Sequence, residues 1–183
     1  MGTVLSQMLK GFRYSLYLIF HPFKGFWDLK HEKKGNVYSA WLIVALLSVL
    51  LILRRQFTGF ILNFNKQNEM NVFVEILSVL APLGLWCLSN WCITTLVNGE
   101  GSFKDIFITT SYALTPLVLI NIPMLLLSNV MIVEEAVFYT VLDVLSIIWT
   151  GLLILIGIMT VHQFTMPKTI ATIAVAVVGM VII

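Results

Sequence analysis

Charge is scarce in this chain. Only 11% of its 183 residues are Asp, Glu, Lys or Arg, where a soluble domain carries about a quarter. So little charge cannot cover a globule in water, which excludes an ordinary soluble domain. The net charge of +2 is too small to point to nucleic acid. Cysteine is also nearly missing. Cys87 and Cys92, in one expected helix, fall on different faces beyond disulfide reach, so both read as buried small hydrophobes. His21, His31 and His162 are scattered, and no Cys or His pair has ligand spacing, so no metal is expected. The sequence offers no Ser-His-Asp set, no paired carboxylates and no phosphate loop, so neither a cofactor nor an enzymatic activity is expected.

What is abundant is apolar residue, 59% of the chain, with a mean hydropathy of +0.96. It comes in blocks of about 20 residues, the length a bilayer crossing requires. The expected fold is all-α: an integral membrane bundle of five transmembrane helices with an N-terminal interfacial amphipathic helix. Residues 1–37 form the cytoplasmic interfacial segment and 38–183 the five-helix domain, with spans near 38–53, 72–97, 106–129, 136–159 and 166–183. The first span stops at Arg54-Arg55. The fifth is short for a complete crossing, so it either starts early or does not cross completely. Ser102 or Asp105 caps the helix after the turn NGEGSFKD.

Within residues 3–20, Val4, Leu5, Met8, Leu9, Phe12 and Leu16 recur at helical spacing, which predicts a helix lying flat on the membrane surface. The next stretch, FKGFWDLKHEKKGN, sets Phe23, Phe26 and Trp27 beside Lys24, Lys30, Lys33 and Lys34. Trp27, Lys30, Lys33 and Lys34 are the expected contacts with lipid headgroups, although an ordinary solvated loop has the same composition. The start MGTVLS matches an acylation pattern at Gly2, from which a chain with several spans gains little. No cleavable signal peptide is expected, since Lys10 and Arg13 interrupt the first apolar stretch.

With the N-terminus cytoplasmic, Lys10, Arg13, Lys24, Lys30, Lys33, Lys34, Lys104 and Lys168 lie inside, and Arg54, Arg55 and Lys66 outside. That bias predicts a multi-pass cell-membrane protein with the C-terminus on the opposite side. Arg54 and Arg55 run against the trend.

Three prolines fall inside spans: Pro82, Pro116 and Pro123. Neighbouring helices and hydroxyls can satisfy the carbonyls they free, so TSYALTPLVLINIP is expected to remain one kinked span. Such kinks either line a substrate path or simply fit the bundle. Asp143 lies about seven residues into the fourth span, where a carboxylate facing lipid costs a few kcal/mol. Asn121 and Asp143 are about equally far from the turn at residues 132–133, so antiparallel packing sets them at one depth as a polar pair. The pair is either an interhelical clamp or an ion site. Asn90, beside Trp86 and Trp91, reads as packing. Thr172, Ala176 and Gly179 form a small-residue face on the fifth span, where another helix can approach closely.

The block GEGSFKDIFITTSYALTPLVLINIP, with its Tyr112-Ala113-Leu114-Thr115-Pro116 element, and HQF at 162–164 resemble the Ypt-interacting-protein (Yip) family of five-span membrane proteins. The eukaryotic Asp-Leu-Tyr-Gly-Pro motif is replaced here by HEKKGNVYSAW, so the likeness is to the bacterial branch. That resemblance implies a cytoplasmic N-terminus and a non-catalytic scaffold or accessory subunit. Its partners would be membrane lipids and another integral membrane protein, with carbohydrate ABC transporter permease subunits as the named candidate. The rival reading is a small channel or carrier with Asp143 in a polar path.

Overall fold

The computed structural model describes residues 2–59 and 71–182, apart from the side chains of residues 2–5 and 133. Lys66 lies outside the described residues, as do the side chains of Val4 and Leu5. Every regular element described is helical: α1 (Gly2–Phe20), α2 (Pro22–His31), α3 (Val37–Phe57), α4 (Val72–Leu96), α5 (Phe103–Ala113), α6 (Thr115–Leu127), α7 (Ala136–His162) and α8 (Met166–Ile182). A short 3-10 turn, Val133–Glu135, precedes α7. By length and composition α3, α4, the α5–α6 unit and α7 can each cross a membrane; α8 is apolar but has only 17 residues.

The helix starts follow from local chemistry. Asn36 and Asn71 cap α3 and α4 by accepting from the backbone N–H two residues on. For α5 the caps act together: Ser102 accepts from the Asp105 N–H, and Asp105 accepts back from the Ser102 N–H. Pro22 opens α2 at a position where its missing N–H does no harm. The stretch read from sequence as a surface segment is therefore a helix. Phe26, one of the aromatics of that stretch, is fully buried, because the turn of α2 that carries it packs inward.

TSYALTPLVLINIP stays within one span, but the helix is interrupted at Leu114, between α5 and α6. Pro116 frees the Tyr112 carbonyl, and the Thr115 hydroxyl donates to it at 2.7 Å. Pro82 and Pro123 lie inside α4 and α6, which continue past them. The first span runs on to Phe57, with Arg54 and Arg55 inside its last turn. Of the two cysteines only Cys87 is buried; Cys92 is exposed, since their separation places them on different sides of α4.

The main core joins the α1–α2 hairpin to the spans. Leu18, Phe26 and Leu29 pack with Ala40 and Ile43 of α3, Ile108 and Tyr112 of α5, and Leu153 of α7. On α1 the side that packs inward carries Gly11, Ser15, Leu18 and Ile19, while Leu9, on the expected apolar face, is exposed. A second cluster joins Val44, Leu83, Cys87, Ile106 and Ile158. The small-residue face of α8 lies on α4: Ser89 Oγ donates to the Ala176 carbonyl at 2.7 Å, and a Cβ on Gly179 would stand 2.5 Å from Ser89 Oγ.

Candidate functional site

Asn121 of α6 and Asp143 of α7 are brought together, though by a third residue. Arg54, from the last turn of α3, donates through Nη1 to Asn121 Oδ1 at 2.6 Å and to Asp143 Oδ1 at 2.8 Å. Its Nε donates to the Tyr139 hydroxyl at 2.9 Å, and the guanidinium lies 5.3 Å from that ring's centre. The amide N–H of Asn121 is turned away, donating to the Leu117 carbonyl at 2.7 Å. So the polar pair expected from the sequence is joined through a guanidinium bridge. Arg55 is paired as well, with Glu75 at the start of α4. The Asn121 side chain is enclosed, at 1% exposure. Arg54 and Asp143 are partly covered, at 23% and 30%.

One cation thus fastens α3, α6 and α7 together. Arginine suits the task, because its guanidinium stays protonated and presents several donors in a fixed fork. Asp143 Oδ1 accepts from this guanidinium, so the carboxylate has a fixed cationic partner within the bundle. Other bonds close the same end of the bundle: Gly59 N–H donates to Ser128 Oγ, and Asn129 Nδ2 to the Phe57 carbonyl.

The opposite end is locked differently. Lys33, Asn98 and Gln163 all have left-handed backbone, with φ of 52°, 57° and 57°. Each follows a helix that closes there, α2, α4 and α7. After α4, the Gly99 N–H reaches back to the Thr94 carbonyl; after α7, the Phe164 N–H reaches the Met159 carbonyl. That turn brings Phe164 back onto His162, with the rings stacked at 5.3 Å. His162 is buried, and its Nδ1 accepts from the Gly101 N–H at 3.2 Å, which leaves the ring proton on Nε2. Cβ atoms on Gly99 and Gly101 would stand 2.5 and 2.7 Å from His162 ring atoms, so the glycines of this turn make room for the imidazole.

Two lysines close the helix ends by donating to their last carbonyls: Lys30 to Val161 at 2.6 Å and Lys168 to Val97 at 2.9 Å. Lys30 also pairs with Glu100 at 3.2 Å, and its side chain is only 15% exposed. Lys34 pairs with Asp28 and Glu32, and its hydrogen bonds to Glu32 and then Asp28 raise its pKa. Of the four residues expected at lipid headgroups, Lys30 and Lys34 therefore already have protein partners. Lys33 is exposed, and Trp27 is half-exposed and stacked on His31. Tyr14 donates to the Gly25 carbonyl at 2.9 Å, and burial above all, with the Asp28 charge, pushes its phenol up to about 12. Tyr112 is wholly buried; its hydroxyl accepts from the Asn36 N–H at 3.4 Å and lies against Gly11, tying α5 to α1 and to the start of α3.

The Asn90 amide, the Thr109 and Thr150 hydroxyls and His162 Nε2 are buried polar groups without a partner among the described residues. Sequence reading missed Arg54, which it took for the end of a span, and the carbonyl-capping role of Lys30. An uncompensated carboxylate inside a span was the available signal for Arg54, since it calls for a cation at its own depth.

An apolar helical bundle with ion pairs inside its spans and tightly closed turns defines a multi-pass membrane protein. Its glycine turn, its Tyr112 element and its His162–Phe164 pair are structural parts of that bundle. The chain belongs to the Yip1 domain family, whose model matches residues 16–183. No curated protein and no solved structure matches it.

Proposed function

We propose that the chain is a non-catalytic scaffold or accessory subunit of the cell membrane, associating through its helices with another integral membrane complex. The observation that carries this reading is the bridge from Arg54 to Asp143 and Asn121. The charges that a carrier would need free within its spans are spent on each other, and Arg55 and Glu75 repeat the pattern. The channel or carrier reading, with Asp143 in a wet path, draws less support for that reason.

The small-residue face of α8 is occupied by α4, so a partner would meet the outward apolar sides of α4 and α7, where Phe73, Leu77, Phe138 and Val141 are exposed. Carbohydrate ABC transporter permease subunits are the partner suggested by the likeness to the bacterial branch. The five-span plan, with α8 as fifth span and the termini on opposite sides, belongs to the same proposal. Affinity purification in mild detergent, followed by mass spectrometry, tests it. Permease subunits recovered in fixed ratio to the chain are expected. A chain that purifies alone and conducts ions in liposomes overturns the reading.

A further inference from the structure

Where α1 passes the turn before α3, an open cleft of about 410 Å³ is lined by Gln7, Lys10, Tyr14, Lys33, Lys34 and Asn36, with Gly11 and Gly35. Its size falls within the range of small-molecule sites, about 300–1,000 Å³. Three of the lining side chains are lysines and none is acidic. The two carboxylates nearby, Asp28 and Glu32, are both taken up by Lys34. Lys10 and Lys33 are exposed and have no ion pair among the described residues.

Neutral donors complete the lining. Gln7 uses its amide oxygen to accept from Asn36 Nδ2 at 3.3 Å, which leaves its NH2 free to donate. Gly35 lets the turn settle low over the core, since a Cβ there would stand 2.7 Å from Leu29. Position matters as much as charge. The turn runs directly into the first span at Val37, and Tyr38 and Trp41 in the opening turns of that helix are half-exposed. Aromatic side chains at such a level mark the boundary between headgroups and acyl chains.

We infer that this cleft binds a phosphate group at the membrane surface, supplied by the headgroup of an anionic phospholipid and held by Lys10, Lys33 and the Gln7 amide. The site is separate from the bundle's helix-to-partner contacts, so it stands whether or not the chain is a scaffold. A free phosphate ion has the same chemistry, and experiment distinguishes the two sources. A lipid brings its phosphate to the protein already confined to this level, and each lysine near an anionic surface adds attraction to it.

The test uses the full chain, purified and delipidated in mild detergent, with thermal unfolding followed as dioleoyl phosphatidylglycerol, dioleoyl phosphatidylcholine or inorganic phosphate is added. Phosphatidylglycerol should raise the midpoint in a saturable way, and phosphatidylcholine should not. Lys10→Gln/Lys33→Gln should weaken the apparent affinity about tenfold or more, as expected for two lysine contacts. Arg13→Gln/Lys24→Gln removes the same charge from exposed positions outside the cleft and should leave the affinity unchanged. Lys10→Arg/Lys33→Arg, which keeps the charge, should retain binding even if the glutamine variant folds poorly. Equal losses in the two glutamine variants would reduce the effect to general surface charge and overturn the site. A shift produced by inorganic phosphate but not by the lipid would overturn the headgroup assignment, and no shift with either would overturn both.

Discussion

Arg54 donates to side chains on two other helices, and the asymmetry of its bonds sets what each substitution should do. Arg54→Met leaves the Asp143 carboxylate without its cation and Asn121 Oδ1 without its donor. Breaking a fully buried ion pair costs about 3–5 kcal/mol, and the partial exposure of both side chains reduces that to about 2 kcal/mol. Asp143→Asn is milder, about 1 kcal/mol, because a carboxamide oxygen still accepts from the guanidinium. Arg54→Met combined with Asp143→Leu should then destabilise by at least about 1 kcal/mol less than the sum of the separate changes, since each single variant strands a partner that the double variant removes. Unfolding in mixed detergent micelles measures this cycle. Strict additivity would show that Arg54 and Asp143 do not act on one another, and the clamp would lose its basis.

At the scale of the element, α8 depends most on its fit to a neighbour, because at 17 residues it is shorter than the four helical units long enough to cross a membrane. Its rise of about 26 Å falls short of a hydrocarbon core of about 30 Å. Its small-residue face lets it lie close on α4, with Ser89 bonded to the Ala176 carbonyl and Gly179 packed against Ser89. Gly179→Leu should force the two helices apart and destabilise by about 1–3 kcal/mol, read as a lower unfolding midpoint and lower folded yield. Gly151→Leu is the control, since a Cβ there meets nothing within 4 Å. Equal effects from the two would place Gly179 on a lipid-facing stripe. The helix limits of α4 and α7 and the small-residue face of α8 were legible in the sequence because apolar length and residue size determine them directly. The α2 helix was legible in part: Pro22 marked its start, but its lysines and aromatics matched a membrane surface equally well. The inward turn of Phe26, the break at Leu114 and the reach of Arg54 were not legible, since each depends on which neighbour packs where. The site was half legible for the same reason. Depth alone paired Asn121 with Asp143, while the cation between them comes from a helix whose register no local pattern specifies.

For the whole molecule, the arrangement of cations bears on orientation. Lys30 and Lys168 cap the last carbonyls of α7 and α4, while Lys33 and Lys34 sit in the turn before α3 and Lys104 in the first turn of α5. All five lie at the end where α4 and α7 finish and α3, α5 and α8 begin. Arg54 and Arg55 belong to the other end, but each is paired with a carboxylate from a neighbouring span, so they add little net positive charge to the flanking turns. The two residues that ran against the charge bias in the sequence are therefore engaged by side chains of neighbouring spans rather than left free in a flanking turn. Lys30 and Lys34 are paired too, but Lys33, Lys104 and Lys168 have no carboxylate partner among the described residues. Lysines near span ends are retained in the cytoplasm, so the lysine-rich end should face inward. A fluorescent reporter that matures only in the cytoplasm, inserted after Lys104, is expected to report inside. The same reporter inserted after Glu134, in the turn at the opposite end, is expected to stay dark, and an oxidation-dependent reporter there should be active. If the Lys104 insertion reports outside while the chain remains folded, the orientation is inverted. The lysine cleft would then face the external headgroups and the Arg54 clamp the cytoplasm.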